Sequence, residues 1–463
     1  MDTPITFGTD GWRATLDVFT TPRVRMVGQA VADYLRDDGR ADAPVAVGYD
    51  ARDSSRGFAE ELCRVLAANG HDVYLPTRDC PTPVTAWNVV DRDLAGALVV
   101  TASHNPPEYN GVKFIPDDGA PALPDVTEAI EERLAEPRVG PEAEFGTVHE
   151  VDFVEPYAEH VLDLVPTDGF EKLTVVYDAM HGSGRDVTDR LLEAAGATVV
   201  RRRCDRDPEF GGTPPEPNAE HLRELADAVE AHDADLGVAN DGDADRVAVV
   251  TPRRGFLDEN LFFAALYEYL LETREPGSAV RTVSTTFLVD RVAQAHGQSV
   301  VETAVGFKWV ARAMAESDVL VGGEESGGFS VRGHIREKDG VLTGLLAAAA
   351  TVAEPFDDRV DGLLATYGEI HQRKIGIDCP DEEKARVLGA LEAEIPERVA
   401  DTDVDDVVTT DGFKLLLADG SWLLVRPSGT EPMMRVYAEA ESEGRVADLL
   451  EAGRELVEPH VRT

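Results

Sequence analysis

A serine hydroxyl, that of Ser103, follows the point at which an apolar run gives way to the polar segment 101–106. Pro106 disfavours helix at the residue before it, so Ser103 is expected on a turn at the end of a strand. A serine in that place can act as a nucleophile or carry a phosphoryl group, and His104 and Lys113 are candidates for moving protons at nearby hydroxyls. A serine that only caps a loop has the same local sequence, so this segment alone leaves both interpretations open.

Three carboxylates alternate along a second polar segment, at Asp241, Asp243 and Asp245. On an extended loop such residues can converge on one hard cation, Mg²⁺ or Ca²⁺ rather than Zn²⁺. An EF-hand is excluded, because no glutamate follows at the twelfth position of the loop. Without a cation or a phosphate-bearing partner group the three charges would repel one another. A solvated acidic turn is the other interpretation, although Arg246 and the strand-like run 236–239 favour a functional loop.

A third polar loop, 322–328, is rich in glycine, which lets the backbone approach a ligand closely. Glu324 and Ser326 place a carboxylate and a hydroxyl two residues apart, a spacing that matches two neighbouring hydroxyls of a sugar. A β-turn with a helix cap is the alternative.

A fourth loop begins at Arg426 and follows the strand-like run 422–425. Its arginine, the hydroxyls of Ser428 and Thr430 and the backbone amide of Gly429 suit a phosphate group. A plain hairpin turn is the alternative.

Two weaker segments carry cations that could reach a cleft. They are 7–13, which contains Arg13, and 306–309, which contains Lys308. Each of them alone is more often structural.

The net charge narrows the range of partners. The 463 residues include 44 basic and 88 acidic side chains, for a net charge of −44. Such a surface repels the phosphates of a nucleic acid or an acidic membrane, so we expect neither partner. The acidic residues are dispersed and lysine is scarce, which favours adaptation to high salt, where screening removes self-repulsion. Because the protein as a whole is strongly acidic, a site that binds phosphate must contain a local concentration of cationic side chains.

The cysteines favour a reducing compartment. Cys63, Cys80, Cys204 and Cys379 form no CxxC pair, so neither a zinc site nor a disulfide framework is indicated. We expect no secretion signal, because the first residues lack a basic region followed by an apolar one. The apolar run 345–352 is too short to span a bilayer, and a cytoplasmic location is expected.

A strand, a polar turn and a helical pattern occur three times, with strands expected at 45–50, 173–178 and 282–286. This indicates similar α/β units in series, and the last segment has an α+β character. The length also favours three or four domains. The predicted domains are 1–150, 151–252, 253–370 and 371–463.

Taken together and in this order, the four loops resemble those of the α-D-phosphohexomutase family, the phosphoglucomutases and phosphomannomutases. The resemblance extends from Phe7 to Arg435. It implies three similar α/β domains in series and a smaller C-terminal α+β domain around a central cleft, each contributing one loop.

The resemblance also implies roles for individual residues. Ser103 would be phosphorylated in the resting enzyme, and one Mg²⁺ would be held by a phosphoserine oxygen together with the three aspartates. The expected substrate-binding residues are Arg13, Arg246, Lys308, Glu324, Ser326, Arg426, Ser428, Gly429 and Thr430.

The reaction implied is a phosphoryl exchange. Phospho-Ser103 gives its group to a hexose phosphate, the bisphosphate turns over in the cleft, and the other phosphate returns to the serine. Glucose 1,6-bisphosphate would be activator and intermediate. Lys113 or His104 would shuttle the proton, with Lys113 preferred because a lysine in a cationic site becomes a better base.

Glucose is the expected sugar, since many mannomutases and glucosamine mutases of the family carry histidine where this chain has Gly328. Phosphomannomutase and phosphoglucosamine mutase activities are the alternatives within the family. A decayed sugar-phosphate-binding protein and a phosphatase that uses Ser103 are alternatives from other classes. The expected partner is a small hexose phosphate, and the protein is expected to be a monomer or homodimer.

Overall fold

The structure is a computed structural model that describes residues 4–8, 11–138, 145–429 and 431–461. Its strands are β1 Trp12–Thr15, β2 Val45–Tyr49, β3 Val73–Pro76, β4 Gly96–Val100, β5 Tyr109–Pro116, β6 Val148–Val151, β7 Thr174–Asp178, β8 Thr198–Arg202, β9 Leu236–Asn240, β10 Val247–Thr251, β11 Gly255–Leu257, β12 Ser278–Thr282, β13 Val300–Thr303, β14 Val319–Gly323, β15 Phe329–Val331, β16 His371–Asp378, β17 Arg398–Val399, β18 Thr402–Val408, β19 Phe413–Leu417, β20 Trp422–Pro427 and β21 Met433–Ala440. Its α-helices are α1 Thr21–Asp37, α2 Ser55–Ala68, α3 Thr82–Asp91, α4 Pro124–Glu131, α5 Val154–Leu164, α6 Thr188–Ala194, α7 Arg223–Ala231, α8 Glu259–Thr273, α9 Leu288–Ala295, α10 Phe307–Glu316, α11 Gly340–Ala353, α12 Phe356–Tyr367, α13 Asp381–Ala393 and α14 Glu443–Val457.

The first three sheets share one topology. Each contains four strands in the orders β5-β4-β2-β3, β10-β9-β7-β8 and β15-β14-β12-β13. Numbered in chain order within each unit, the first strand lies between the second and the third and runs parallel to both. The fourth strand lies beside the third and runs antiparallel to it. The parallel strands are joined by helical crossovers, as they must be. The predicted repeat of three α/β units is therefore confirmed.

The fourth sheet is antiparallel throughout, in the order β16-β21-β20-β19-β18-β17. Helix α14 packs against it and contributes Val446 and Leu449 to a core separate from the others. This is the smaller α+β domain that the resemblance implied.

The central strands of the first two units are apolar on both faces. Every residue of β2, β4 and β9 is buried, which is the pattern of strands covered by helices on each side. Helix α11 is also buried nearly all round, and its Leu345 belongs to one core cluster with Tyr157 of the second unit and Ile115 of the first. The first three units thus share a continuous core.

One sequence-based limit needs correction, and the domain boundaries remain predictions. Strand β6 ends at Val151 and β11 at Leu257, each shortly after the boundaries predicted at 150 and 252. The strand expected at 282–286 ends at Thr282. The hydroxyls of Ser284 and Thr285 turn instead towards the Glu325 carboxylate, at 2.6 and 3.2 Å.

Among the helices within the described ranges, none combines the length and apolar character needed to cross a membrane.

Candidate active site

The predicted functional loops occupy equivalent places in the fold. In each of the first three units the loop joins the third and fourth strands of the shared topology, at 101–108, 241–246 and 324–328. The corresponding loop of the last domain joins β20 and β21. All four domains line one cleft of about 910 Å³. Because strand ends lie at a sheet edge, the repeated topology brings the loops together.

Ser103 adopts a left-handed backbone conformation, with φ of +52°. This conformation is unfavourable for a residue other than glycine and marks sites where the surroundings over-determine the backbone. Its Oγ donates to Asp241 Oδ2 at 2.8 Å and lies 3.2 Å from His104 Nδ1. The side chain predicted as a phosphoryl carrier therefore contacts the predicted metal loop directly.

The three aspartates form a buried cluster, with one carboxylate oxygen of each within 4.8 Å of the others. Burial, and next the charges of Asp243 and Asp245, hold the pKa of Asp241 well above its usual range. Asp245 Oδ1 is buried and accepts no hydrogen bond from the described chain. Clustered, desolvated carboxylate oxygens of this kind fit a hard divalent cation such as Mg²⁺.

Gly242 lets the metal loop approach the serine. A Cβ at this position would lie 2.5 Å from the Ser103 carbonyl oxygen, which no side chain permits. The glycine between the first two aspartates thus has a packing reason.

Two lysines lie against the aspartates. Lys113 Nζ is 3.1 Å from Asp243 Oδ2 and 2.9 Å from Asp245 Oδ2, and Lys338 Nζ is 3.3 Å from Asp245 Oδ2. Lys113 is only 2% exposed. Lys113 was expected in a cationic site, and the structure instead places two carboxylates against its ammonium group.

His104 is held neutral. The positive charge of Arg246, followed by burial and the charge of Arg13, lowers the pKa of His104 to about 2. A neutral imidazole can share a hydrogen bond with Ser103 Oγ, but at neutral pH it is a very weak base.

The third loop holds Glu324 in a buried position. Its Oε1 accepts from the Gly306 amide at 2.9 Å, and its Oε2 accepts from Ser326 Oγ at 3.4 Å. Burial raises the pKa of Glu324 to about 7, against the opposing charge of Lys338. A carboxyl group near this value can both donate to and accept from sugar hydroxyls.

Gly328 faces the Lys338 side chain. A Cβ on Gly328 would lie 2.4 Å from Lys338 Cδ, so the lysine stem fills the space beside this glycine. Sequence reasoning missed Lys338. The signal for it was a charged segment, 336–339, directly before the apolar run of α11.

The fourth loop presents Arg426, Ser428 and Gly429 to the cleft. Arg426 Nε donates to Asp411 Oδ2 at 2.8 Å, and Ser428 Oγ accepts from the Glu431 amide at 3.2 Å. Thr430 lies outside the described residues.

The remaining predicted cations also reach the cleft. Arg13 donates to Asn105 Oδ1 at 3.3 Å, Arg246 lies 4.0 Å from Asp245 Oδ1, and Lys308 is 5.9 Å from the ring of Trp309. Sequence reasoning did not assign several further polar lining residues, namely Glu216, Asn218, Lys338, Lys374, Arg435 and Tyr437.

Comparisons with known proteins agree with this architecture. The phosphoglucomutase/phosphomannomutase family descriptions match the chain in four parts: alpha/beta/alpha domain I over 4–139, domain II over 155–255, domain III over 258–367 and the C-terminal domain over 375–456.

Two relatives and one solved structure are similar over nearly the whole chain. A "Phosphoglucomutase/phosphomannomutase" of Thermococcus kodakarensis is 34% identical over 460 residues, covering 98% of each chain. A "Probable phosphoglucosamine mutase" of Methanopyrus kandleri is 35% identical over 448 residues, covering 96% of this chain and 95% of that one. The crystal structure of a phosphoglucomutase/phosphomannomutase family protein from Burkholderia thailandensis has a TM-score of 0.85 at 25% identity, covering 99% and 98%. The chain belongs to the phosphoglucomutase/phosphomannomutase family, that is, to the α-D-phosphohexomutases.

Proposed function

We propose that the protein is a Mg²⁺-dependent mutase that interconverts hexose 1-phosphate and hexose 6-phosphate, with glucose as its preferred sugar. The observation that carries the proposal is the 2.8 Å contact between Ser103 Oγ and Asp241, next to His104 and Arg246, which line the cleft shared by all four domains. A phosphoryl carrier beside a carboxylate cluster is the arrangement that phosphoryl transfer requires.

The chemistry is divided among the loops. Phospho-Ser103 gives its phosphoryl group to the free hydroxyl of the substrate, and the resulting bisphosphate returns its other phosphate to the serine after turning over in the cleft. Mg²⁺ held by Asp241, Asp243 and Asp245 would supply charge neutralisation for the transferring group. Glucose 1,6-bisphosphate would accordingly activate the unphosphorylated protein.

Substrate positioning rests on the other two loops. Arg426, Ser428 and Gly429 bind the phosphate that is not being transferred, while Glu324 and Ser326 bind sugar hydroxyls. Because the bisphosphate reacts in two orientations, each of these groups must serve both. The cations Arg13, Arg246 and Lys308 offset the charge of the substrate in an otherwise strongly acidic protein.

Proton transfer is assigned to Lys113 in preference to His104. His104 Nδ1 lies 3.2 Å from Ser103 Oγ, but the pKa of about 2 makes this histidine a poor base. Lys113 Nζ lies against the metal loop, 3.1 Å from Asp243 Oδ2 and 2.9 Å from Asp245 Oδ2. Lys338, against the same Asp245, is a second candidate.

The proposal also specifies which hexose phosphate the protein prefers. Glucose is favoured by the loop that ends at Gly328, where Lys338 occupies the adjoining space. Similarity to the Methanopyrus kandleri protein supports a phosphoglucosamine mutase as the second candidate, and phosphomannomutase activity is the third. Comparing kcat/KM for the three sugar phosphates decides between them.

The test uses purified protein with glucose 1-phosphate, Mg²⁺ and a trace of glucose 1,6-bisphosphate. Glucose 6-phosphate should form, and intact mass should show one phosphate on Ser103. Ser103→Ala should be inactive, whereas Ser317→Ala, at an exposed helix end, should match the wild type. Steady release of inorganic phosphate would indicate a phosphatase, and binding without turnover would indicate a decayed sugar-phosphate-binding protein.

The cellular setting is also proposed. The net charge of −44 and the four free cysteines support a cytoplasmic protein without nucleic-acid or membrane partners. We expect a monomer or homodimer.

A further inference from the structure

Arg52 lies in the turn that follows β2, and its guanidinium group makes the full number of hydrogen bonds that it can donate. Its side chain is 1% exposed, and all five N–H groups of the guanidinium have an acceptor. Nε donates to Asp50 Oδ2 at 3.0 Å. The other four bonds go to backbone carbonyls: Pro106 at 2.6 Å, Tyr109 at 3.1 Å, Ser103 at 2.8 Å and Asn105 at 2.6 Å.

Three of these carbonyls belong to the loop that carries the serine, and the fourth is that of Tyr109, which begins the strand that follows the loop. Arg52 therefore fixes the peptide orientations of segment 103–109, and it is not among the residues that line the cleft. A carbonyl oxygen held by a guanidinium cannot turn towards the negative charge of a phosphoserine. The loop is thereby prepared to hold an anion.

The same support extends to the strained residue. Thr101 Oγ1 accepts from the Ser103 amide at 2.8 Å and donates to Asp50 Oδ2 at 2.8 Å. One carboxylate thus anchors both Arg52 and the hydroxyl that binds Ser103. Together they maintain the left-handed backbone of the serine, at φ +52°.

Residues of the second α/β unit pack against Arg52. The ring of Phe210 lies 5.0 Å from the guanidinium of Arg52, and Arg206 donates to the Arg52 carbonyl at 3.4 Å. The Ser103 carbonyl, which Arg52 binds, is also the atom against which Gly242 of the metal loop packs. The position of Arg52 therefore sets the distance between the serine turn and the aspartates.

We propose that Arg52 is a positioning residue for phosphoryl transfer. It holds the serine turn in the conformation that brings Ser103 Oγ to the metal loop, without contacting substrate. The proposal rests on the proposed function of Ser103. Lysine cannot replace it, because one ammonium group cannot reproduce five donors in a planar fork.

The test compares Arg52→Lys with a matched control, Arg203→Lys. Arg203 binds Asp178 at the end of β7, the position equivalent to Asp50, through bonds of 2.7 to 3.1 Å, but it serves no catalytic turn. Arg52→Lys should lower kcat by about 100-fold with little change in KM, since a small misplacement of reacting groups has this effect. It should also slow phosphorylation of Ser103 by glucose 1,6-bisphosphate, followed by intact mass. Arg203→Lys should keep the wild-type kcat.

The outcomes separate the two proposals. If the wild type neither turns over nor becomes phosphorylated, the proposed function fails and this inference falls with it. If the wild type is active and folded Arg52→Lys keeps its kcat, only the positioning role is overturned. Should Arg52→Lys fail to fold, Asp50→Asn decides, because it removes the carboxylate charge that holds Arg52 Nε and Thr101 Oγ1. An unchanged kcat in folded Asp50→Asn overturns the inference.

Discussion

Ser103 Oγ and Asp241 Oδ2 lie 2.8 Å apart although 138 positions separate them in the chain. The contact exists because both residues lie on the loop between the third and fourth strands of the same repeated topology. In two copies of that topology the equivalent loops meet at this contact.

Thr82 is expected to tune metal binding without being a ligand. Its Oγ1 donates to Asp243 Oδ2 at 2.6 Å, which orients that carboxylate. Loss of such an outer hydrogen bond costs about 10- to 100-fold in metal affinity, so Thr82→Val should weaken Mg²⁺ binding by that factor in isothermal titration. Thr85→Val, three residues along the same helix and bonded to Cys80 Sγ, is the control. Equal affinities in both variants would contradict the prediction, and a chelator should abolish activity in the wild type.

Glu324 should make stability depend on pH. Because burial raises its pKa from 4.5 to about 7, the folded protein binds this proton more tightly than the unfolded chain does. The contribution is fully present below pH 4.5 and is lost as the pH rises through 7, to a total of about 3 kcal/mol. Glu324→Gln, which stays neutral, should therefore gain stability relative to the wild type over this interval. Urea unfolding at pH 4.5 and 8 measures the difference, and parallel curves would refute it.

Gly328 should be intolerant of a side chain. In Gly328→Ala the new methyl group displaces Lys338, which also contacts Asp245 of the metal loop. We expect kcat/KM to fall by about 10- to 100-fold and the ratio between sugars to change. Gly389→Ala, whose Cβ would meet no atom within 4 Å, should behave as the wild type. Steady-state kinetics with glucose, mannose and glucosamine phosphates provide the measurement, and an active Gly328→Ala with unchanged ratios would be the contrary result.

High salt should stabilise the protein. A net charge of −44 repels itself at low ionic strength, and the Debye length shortens to about 3 Å at 1 M salt. The unfolding midpoint should rise from low to molar concentrations of a simple salt such as KCl. Equal midpoints throughout would remove the argument for adaptation to high salt.

The residues that could be read from the sequence are those whose chemistry lies within one loop. The serine turn, the alternating aspartates and the Glu324–Ser326 pair each carry their residue types at short, fixed spacing. The three-fold repeat was also readable, because buried parallel strands appear as apolar runs.

The residues that were missed act across the chain. In the sequence, strand β15 and a further turn separate Lys338 from the loop 324–328. Its contact with Asp245 depends on how the second and third units pack against each other. Arg52 stands in an ordinary polar turn, and only the structure shows that its acceptors lie in segment 103–109. The prediction of a strand at 282–286 was wrong for a similar reason. The hydroxyl of Ser284 donates to Glu325, a residue distant in the sequence.

The shared hairpin position of the loops bears on how such a protein can acquire new substrates. Each loop joins two strands that lie mainly in the interior, so its residues can be exchanged while the scaffold stays intact. Under the proposed function, replacement of 324–328 would change the contacts to the sugar and leave the serine and the aspartates in place. The repeated topology would thus allow the loop that selects the sugar to change independently of the loops that carry out the reaction.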